Sequence, residues 1–203
     1  MDDRRAHWER VYERPRADFS WFEADPAVSF AWVMRALGDR RGHVIDIGGG
    51  DSPLASRLVD AGVAHVTVLD VSQTALDRGR RLSGDRGGRI QFLRADVTGE
   101  WSAEPVDAWH DRAAFHFLIA DEDRARYARR AADLVQPGGG LVIATFADDG
   151  PERCSGLPVR RHSEADLARA FPGFSLVESS RLEHRTPAGA VQRFVIARLV
   201  HGG

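Results

Sequence analysis

The stretch Val44-Ile45-Asp46-Ile47-Gly48-Gly49-Gly50-Asp51-Ser52 constrains the fold more than any other in the chain. Apolar residues flank one carboxylate, three glycines follow, and Ser52 with Pro53 supplies a helix start. Such a run reads as a buried strand ending in a tight loop. Glycine tolerates positive φ and lets a ligand lie close to the backbone. Two common ligands are disfavoured. A dinucleotide loop of the form G-x-G-x-x-G needs glycine at position 53, where Pro53 stands, and Asp46 would repel a pyrophosphate. A P-loop needs lysine, and all 28 basic residues are arginine. An acidic strand end beside glycines suits a cofactor that carries positive charge and no phosphate.

Two further strands end in the same way. His65-Val66-Thr67-Val68-Leu69-Asp70 places its acid 24 residues after Asp46, near the spacing at which a second-strand carboxylate accepts from ribose hydroxyls. Ile90-Gln91-Phe92-Leu93-Arg94-Ala95-Asp96-Val97 is the third, and Asp96 is placed to accept from an adenine amino group. A lone glycine loop is a weak signal, but three strand-terminal acids with that loop form a constellation. S-adenosylmethionine, with its ammonium and sulfonium, fits it.

The segments Val44-to-Gly50, Val66-to-Asp70, Ala95-Asp96-Val97 and Leu134-Val135-Gln136-Pro137-Gly138-Gly139 resemble the class I S-adenosylmethionine-dependent methyltransferases over roughly residues 40 to 200. The front segment, His7-Trp8-Glu9-Arg10-Val11-Tyr12 with Ser20-Trp21-Phe22, loosely resembles the leader of the elongation-factor lysine methyltransferase subgroup. The resemblance implies one methyltransferase domain over residues 1–203, with a helical leader or lid at 1–40 and a Rossmann-like core at 41–203. It implies S-adenosyl-L-methionine as cofactor, held by Trp8, Tyr12, Trp21, Asp46, Gly48, Gly49, Gly50, Asp70, Val71, Asp96 and Val97. The acceptor expected is a small molecule, with a protein lysine or a non-catalytic cofactor-binding role as alternatives. An aminopropyltransferase ranks low, because its polyamine substrate calls for an acidic cleft.

Composition bounds the rest. A formal net charge of −2 gives no pull toward nucleic acid or an anionic membrane surface. The single cysteine, Cys154, excludes an intrachain disulfide and a cysteine metal cluster, and no metal site is expected among the eight histidines. No apolar run follows the N-terminal charges and none approaches the length of a membrane span, so a cytoplasmic enzyme is expected.

Apolar strands alternating with amphipathic helices predict an α/β fold, a doubly wound sheet with helices on both faces. Helices are expected over 4–14, from Pro26 to Leu37, and over 121–135. The strands expected next are 106–110 and 141–146. Thr186-Pro187-Ala188-Gly189 turns between two last strands and reverses the final one, giving seven strands, six parallel and one antiparallel. Residues 147–161 read as a long irregular loop, and Ser163 with Asp166 as a capping box.

Ligands in such sheets bind beyond the carboxyl ends of the strands. The rim there collects His110, Asp111, His116, Arg153, Cys154, His162, His184 and Arg185. Asp111 and His116 are expected to serve the chemistry, and His110, Arg153, Cys154, His184 and Arg185 to line the substrate rim. No [Asn/Asp]-Pro-Pro-aromatic run and no Pro-Cys pair follows the fourth strand, so methylation of DNA bases is not expected.

Overall fold

The computed structural model describes residues 2–202. The chain begins with helix α1 (Asp2–Tyr12), a looping leader and helix α2 (Ala27–Leu37). Then come β1 (His43–Ile47), α3 (Leu54–Asp60), β2 (His65–Asp70), α4 (Gln73–Ser83), β3 (Ile90–Arg94) and β4 (Val106–Arg112). The second half holds α5 (Asp121–Leu134), β5 (Val135–Phe146), the short β6 (Arg153–Cys154) and β7 (Leu157–Pro158), α6 (Glu164–Ala170), β8 (Phe174–Arg185) and β9 (Val191–His201).

Seven strands form one sheet in the order β3-β2-β1-β4-β5-β9-β8. β1 to β5 pair in parallel, and β9 runs antiparallel to both β5 and β8. Six strands therefore point one way and β9 the other. The order reverses between β1 and β4, which opens a crevice at their carboxyl ends.

Alternation along the strands assigns the two faces. Val44, Val66, Val68 and Ala108 pack with Val33, Leu37, Leu54, Leu58 and Leu76 of α2, α3 and α4. Ile45, Ile47, Leu69, Trp109 and Ile143 pack with Tyr127, Ala131, Leu167 and Phe171 on the α5–α6 side. Trp109 Nε1 donates to the Tyr127 hydroxyl at 2.8 Å, so both buried polar tips are satisfied within that layer. No helix among the described residues is long and apolar enough to cross a membrane.

Four local readings differ from the sequence. β5 starts at Val135 rather than Leu141: Val135 pairs with Val106, and the register then jumps to Gly140 opposite Ala108. The glycines make this extension possible, because a Cβ on Gly140 would lie 2.6 Å from Ala36 Cβ of α2. β4 runs two residues past His110, to Arg112. α1 starts and ends two residues earlier than expected. The loop 147–161 is not irregular throughout, since β6 and β7 pair across Ser155-Gly156, both at positive φ of 50° and 80°. The capping box forms: Ser163 Oγ accepts from Asp166 N, and the Asp166 carboxylate accepts from Ser163 N.

Candidate active site

A cleft opens at the carboxyl ends of β1, β2, β3 and β4. Ile47, Gly48, Leu69, Asp70 and Val71 form one wall, and Asp96 and Val97 follow from the end of β3. Ala113, Ala114, Phe117 and Leu118 close the opposite side, and Cys154 reaches in from the β6–β7 hairpin. Trp8, Tyr12 and Trp21 of the leader roof it, with Arg4 at the edge.

The glycines keep this cleft open. Gly48 and Gly50 have φ of 66° and 49°, which side chains rarely adopt. A Cβ on Gly48 would lie 2.8 Å from Ala114 Cβ, and one on Gly50 2.5 Å from the Tyr12 hydroxyl. A Cβ on Gly49 would strike Asp46 Oδ2 at 2.5 Å. The opposite wall has its own strained position. Ala113 sits at φ 70°, held because Asp111 Oδ1 accepts from Ala114 N at 2.8 Å and Asp111 Oδ2 from Phe115 N at 3.0 Å.

Two carboxylates, Asp70 and Asp96, and two guanidinium groups, Arg4 and Arg112, line the cleft, and Asp46 and Asp51 lie close enough to act on Asp70. Burial pushes the Asp70 carboxyl up to about 7, against a hydrogen bond from Ser72 N, with Asp46 and Asp51 adding repulsion. A bound cation would relieve that cluster. Asp96 is half-buried, accepts from Thr98 N and Oγ1, and meets Arg4 Nη1 at 3.4 Å.

A second, more polar cavity lies beside the first and shares Tyr12, Trp21, Ile47, Gly48 and Arg112 with it. Here Asp46 Oδ1 meets His110 Nδ1 at 2.7 Å, both side chains nearly sealed from solvent. Arg112 donates to Trp21 O at 3.1 Å and to Glu23 Oε1 at 2.8 Å. It also donates at 3.4 Å to Nδ1 of His184, whose Nε2–H donates to Ser20 O.

The leader is latched as well as stacked. The Glu9 carboxylate accepts from Ser72 Oγ, Gln73 N and Thr74 N, capping α4 from another element. Burial opposes its ionisation, yet these hydrogen bonds hold it below the ordinary glutamate value. Trp21 stacks on Phe19 at 4.6 Å and meets Trp8 edge-on at 5.8 Å.

The structure thus brings Trp8, Tyr12, Trp21, Gly48, Asp70, Val71, Asp96, Val97 and Cys154 to one cleft, and Asp46, Gly49 and His110 to its neighbour. Gly50 lines neither, but backs Tyr12 and Asp70. Other expected rim residues lie elsewhere. Asp111 is fully buried, with its oxygens taken by Ala114, Phe115 and the Tyr127 hydroxyl at 2.6 Å. Burial raises its carboxyl to about 6. His116 is also fully buried, packed on Phe146, and burial pushes it down to about 3, so it is neutral. His162 accepts from Arg124 at 2.7 Å under α5. Arg153 is exposed and donates to Gly156 O within its own hairpin, Arg185 is exposed at the end of β8, and neither lines either cavity. His184 anchors the leader rather than facing a cavity.

Arg112 was the position missed. Alternation along β4 puts residues 110 and 112 on one face and 109 and 111 on the other. A strand read as ending at His110 loses that signal.

A family profile described as a methyltransferase domain matches residues 44–139. Over that segment, just under half of its length, the chain is similar to methyltransferase domains. Among curated relatives, the ubiquinone/menaquinone biosynthesis C-methyltransferase UbiE of Methylobacterium nodulans is 34% identical over 169 residues, 80% of this chain and 63% of that protein. The eEF1A lysine and N-terminal methyltransferase of Danio rerio is 25% identical over 84% of this chain and 27% of its own length. The chain therefore spans less than two thirds of these relatives. The N-methyltransferase NodS of Bradyrhizobium japonicum, solved with S-adenosyl-L-homocysteine, superposes with a TM-score of 0.74 at 16% identity over 96% of this chain and 98% of NodS, which establishes shared fold.

Proposed function

We propose that this chain is a methyltransferase that binds S-adenosyl-L-methionine in the cleft roofed by Trp8, Tyr12 and Trp21 and serves a small-molecule acceptor. The observation that carries this reading is Asp70. A buried carboxylate pushed up to about 7 beside Asp46 and a glycine cradle matches a cationic nucleoside and would repel a diphosphate. When bound, the cofactor supplies an activated methyl group on a sulfonium.

The residues then divide the work. Asp70 accepts from ribose hydroxyls, while Asp96, Val71 and Val97 flank the adenine. Gly48, Gly49 and Gly50 with Asp46 receive the methionine end. Trp8, Tyr12 and Trp21 close over it and exclude water. Cys154, His110 and Arg112 face the acceptor. Asp111 and His116 act as positioning residues, since each is sealed behind the wall that Ala113 and Phe117 form.

The UbiE match, whose printed role is C-methylation in ubiquinone/menaquinone biosynthesis, supports a small acceptor. A second reading, a protein side chain, draws on the Danio rerio match and on the leader. The test is transfer of labelled methyl from S-adenosylmethionine into a cell lysate separated into metabolite and protein fractions. Label in the metabolite fraction is expected. Label confined to protein supports the second reading, and label in neither fraction contradicts both.

A further inference from the structure

We propose that the corner formed by the Trp8, Tyr12 and Trp21 rings recognises the positive charge on the cofactor's sulfonium, so that the site tells the charged methyl donor from its neutral product. This rests on the proposed methyltransferase reading and names what the aromatic leader recognises.

The rings form a corner rather than a stack. Trp8 meets Tyr12 at 6.5 Å between centroids and 47° between planes, Tyr12 meets Trp21 at 6.1 Å and 66°, and Trp8 meets Trp21 at 5.8 Å and 77°. Phe19 stacks on one face of Trp21 at 4.6 Å. Packing of the leader accounts for Tyr12 and Phe19, which are buried. Trp8 and Trp21 stay half-buried and line the cleft, so their indole surface is held where a ligand meets it.

The junction of the two cavities places the sulfur. The proposed function seats the adenosyl part in the cleft and the methionine part in the more polar cavity, and sulfur is the atom that joins those parts. Tyr12, Trp21, Ile47, Gly48 and Arg112 line both cavities. Arg112 is the only charged residue among them. Its guanidinium donates to Glu23 Oε1 at 2.8 Å and to Trp21 O at 3.1 Å, so its charge is compensated. Asp46 and Asp70 each line one cavity and not the other, which leaves the aromatic rings at the junction itself.

A sulfonium suits such a place. It has no N–H or O–H to donate, whereas an electron-rich ring face attracts a cation without a hydrogen bond. Aromatic corners hold quaternary ammonium groups in the same way, and the attraction grows where little water competes. The charge is lost on transfer: an acceptor lone pair forms the new bond to the methyl carbon, the carbon–sulfur bond breaks, and its electron pair returns to sulfur. The rings then have no cation to hold, and their grip on the product weakens.

The test is calorimetric titration of the full chain, without acceptor, with S-adenosylmethionine and with S-adenosylhomocysteine, read as the ratio of the two affinities. Trp21→Leu should shift that ratio against S-adenosylmethionine by about fivefold or more, while S-adenosylhomocysteine affinity stays within about threefold. Tyr12→Phe, which keeps the ring, should leave the ratio within about twofold. Replacing Trp21 by tryptophans of increasing fluorination keeps its shape and drains the ring face of electron density, so the ratio should fall stepwise with each fluorine. A ratio that Trp21→Leu leaves unchanged, a shift of it in Tyr12→Phe, or no trend across the fluorinated series overturns the proposal. Failure of the wild type to bind either ligand would instead overturn the methyltransferase reading beneath it.

Discussion

At the scale of the residue, Asp70 shows how a buried carboxyl at the proposed cofactor site costs the empty fold. Its carboxyl is raised to about 7 by burial and by Asp46 and Asp51. In the unfolded chain it ionises near its ordinary value, so between about pH 4 and pH 7 the unfolded state binds fewer protons than the native one. Stability from this group is present below that window and is lost as pH rises through it. Asp70→Asn removes the penalty while keeping an oxygen for Ser72 N. It should stabilise the ligand-free protein at pH 8 by on the order of 2 kcal/mol and change little at pH 4, as read by thermal unfolding at the two pH values. Equal effects at both pH values would show that the group is not desolvated as described.

At the scale of the element, α1 and α4 are tied from both sides, by Glu9 of α1 and by Arg78 of α4, which donates to Tyr12 O. Glu9 satisfies the N-terminal donors of α4 that Ser72 alone does not reach. Its lowered value makes the latch strongest above the ordinary glutamate range and weaker as pH falls through it. Glu9→Ala should speed hydrogen exchange of the 4–12 amides at least about tenfold while lowering global stability by only about 1–2 kcal/mol. Unchanged exchange would mean that aromatic packing and the arginine contacts seat the leader without Glu9.

The elements also explain what sequence made legible. The glycine loop and the strand-terminal acids stood out because buried parallel strands are continuous apolar runs, so a carboxylate at their end is conspicuous. The capping box was readable because its signal is local. The β6–β7 hairpin was not, since two-residue strands leave no period to detect. Sequence places Asp111 and His116 near a strand end without giving the face, which is why they are expected at the site and found behind its wall. Arg112 escaped for the same reason in reverse. The Asp46–His110 contact spans 64 positions and is created only by the pairing of β1 with β4.

At the scale of the whole molecule, the sheet provides the crevice and the leader provides its roof. Arginines stitch one to the other: Arg4 to Asp96 and Asp123, Arg16 to Asp51, and Arg112 to Trp21 O and Glu23. Their partial burial shields them from salt better than a surface pair would be. The proposed function makes cofactor recognition a property of carboxylates converging from successive parallel strands. Calorimetric titration of the protein with S-adenosylhomocysteine at pH 7.5 tests that claim most directly. The account predicts saturable binding that Asp70→Ala weakens by about tenfold or more, the value of a lost hydrogen bond to a charged group. No heat at millimolar ligand, or equal affinity in the wild type and Asp70→Ala, would contradict it.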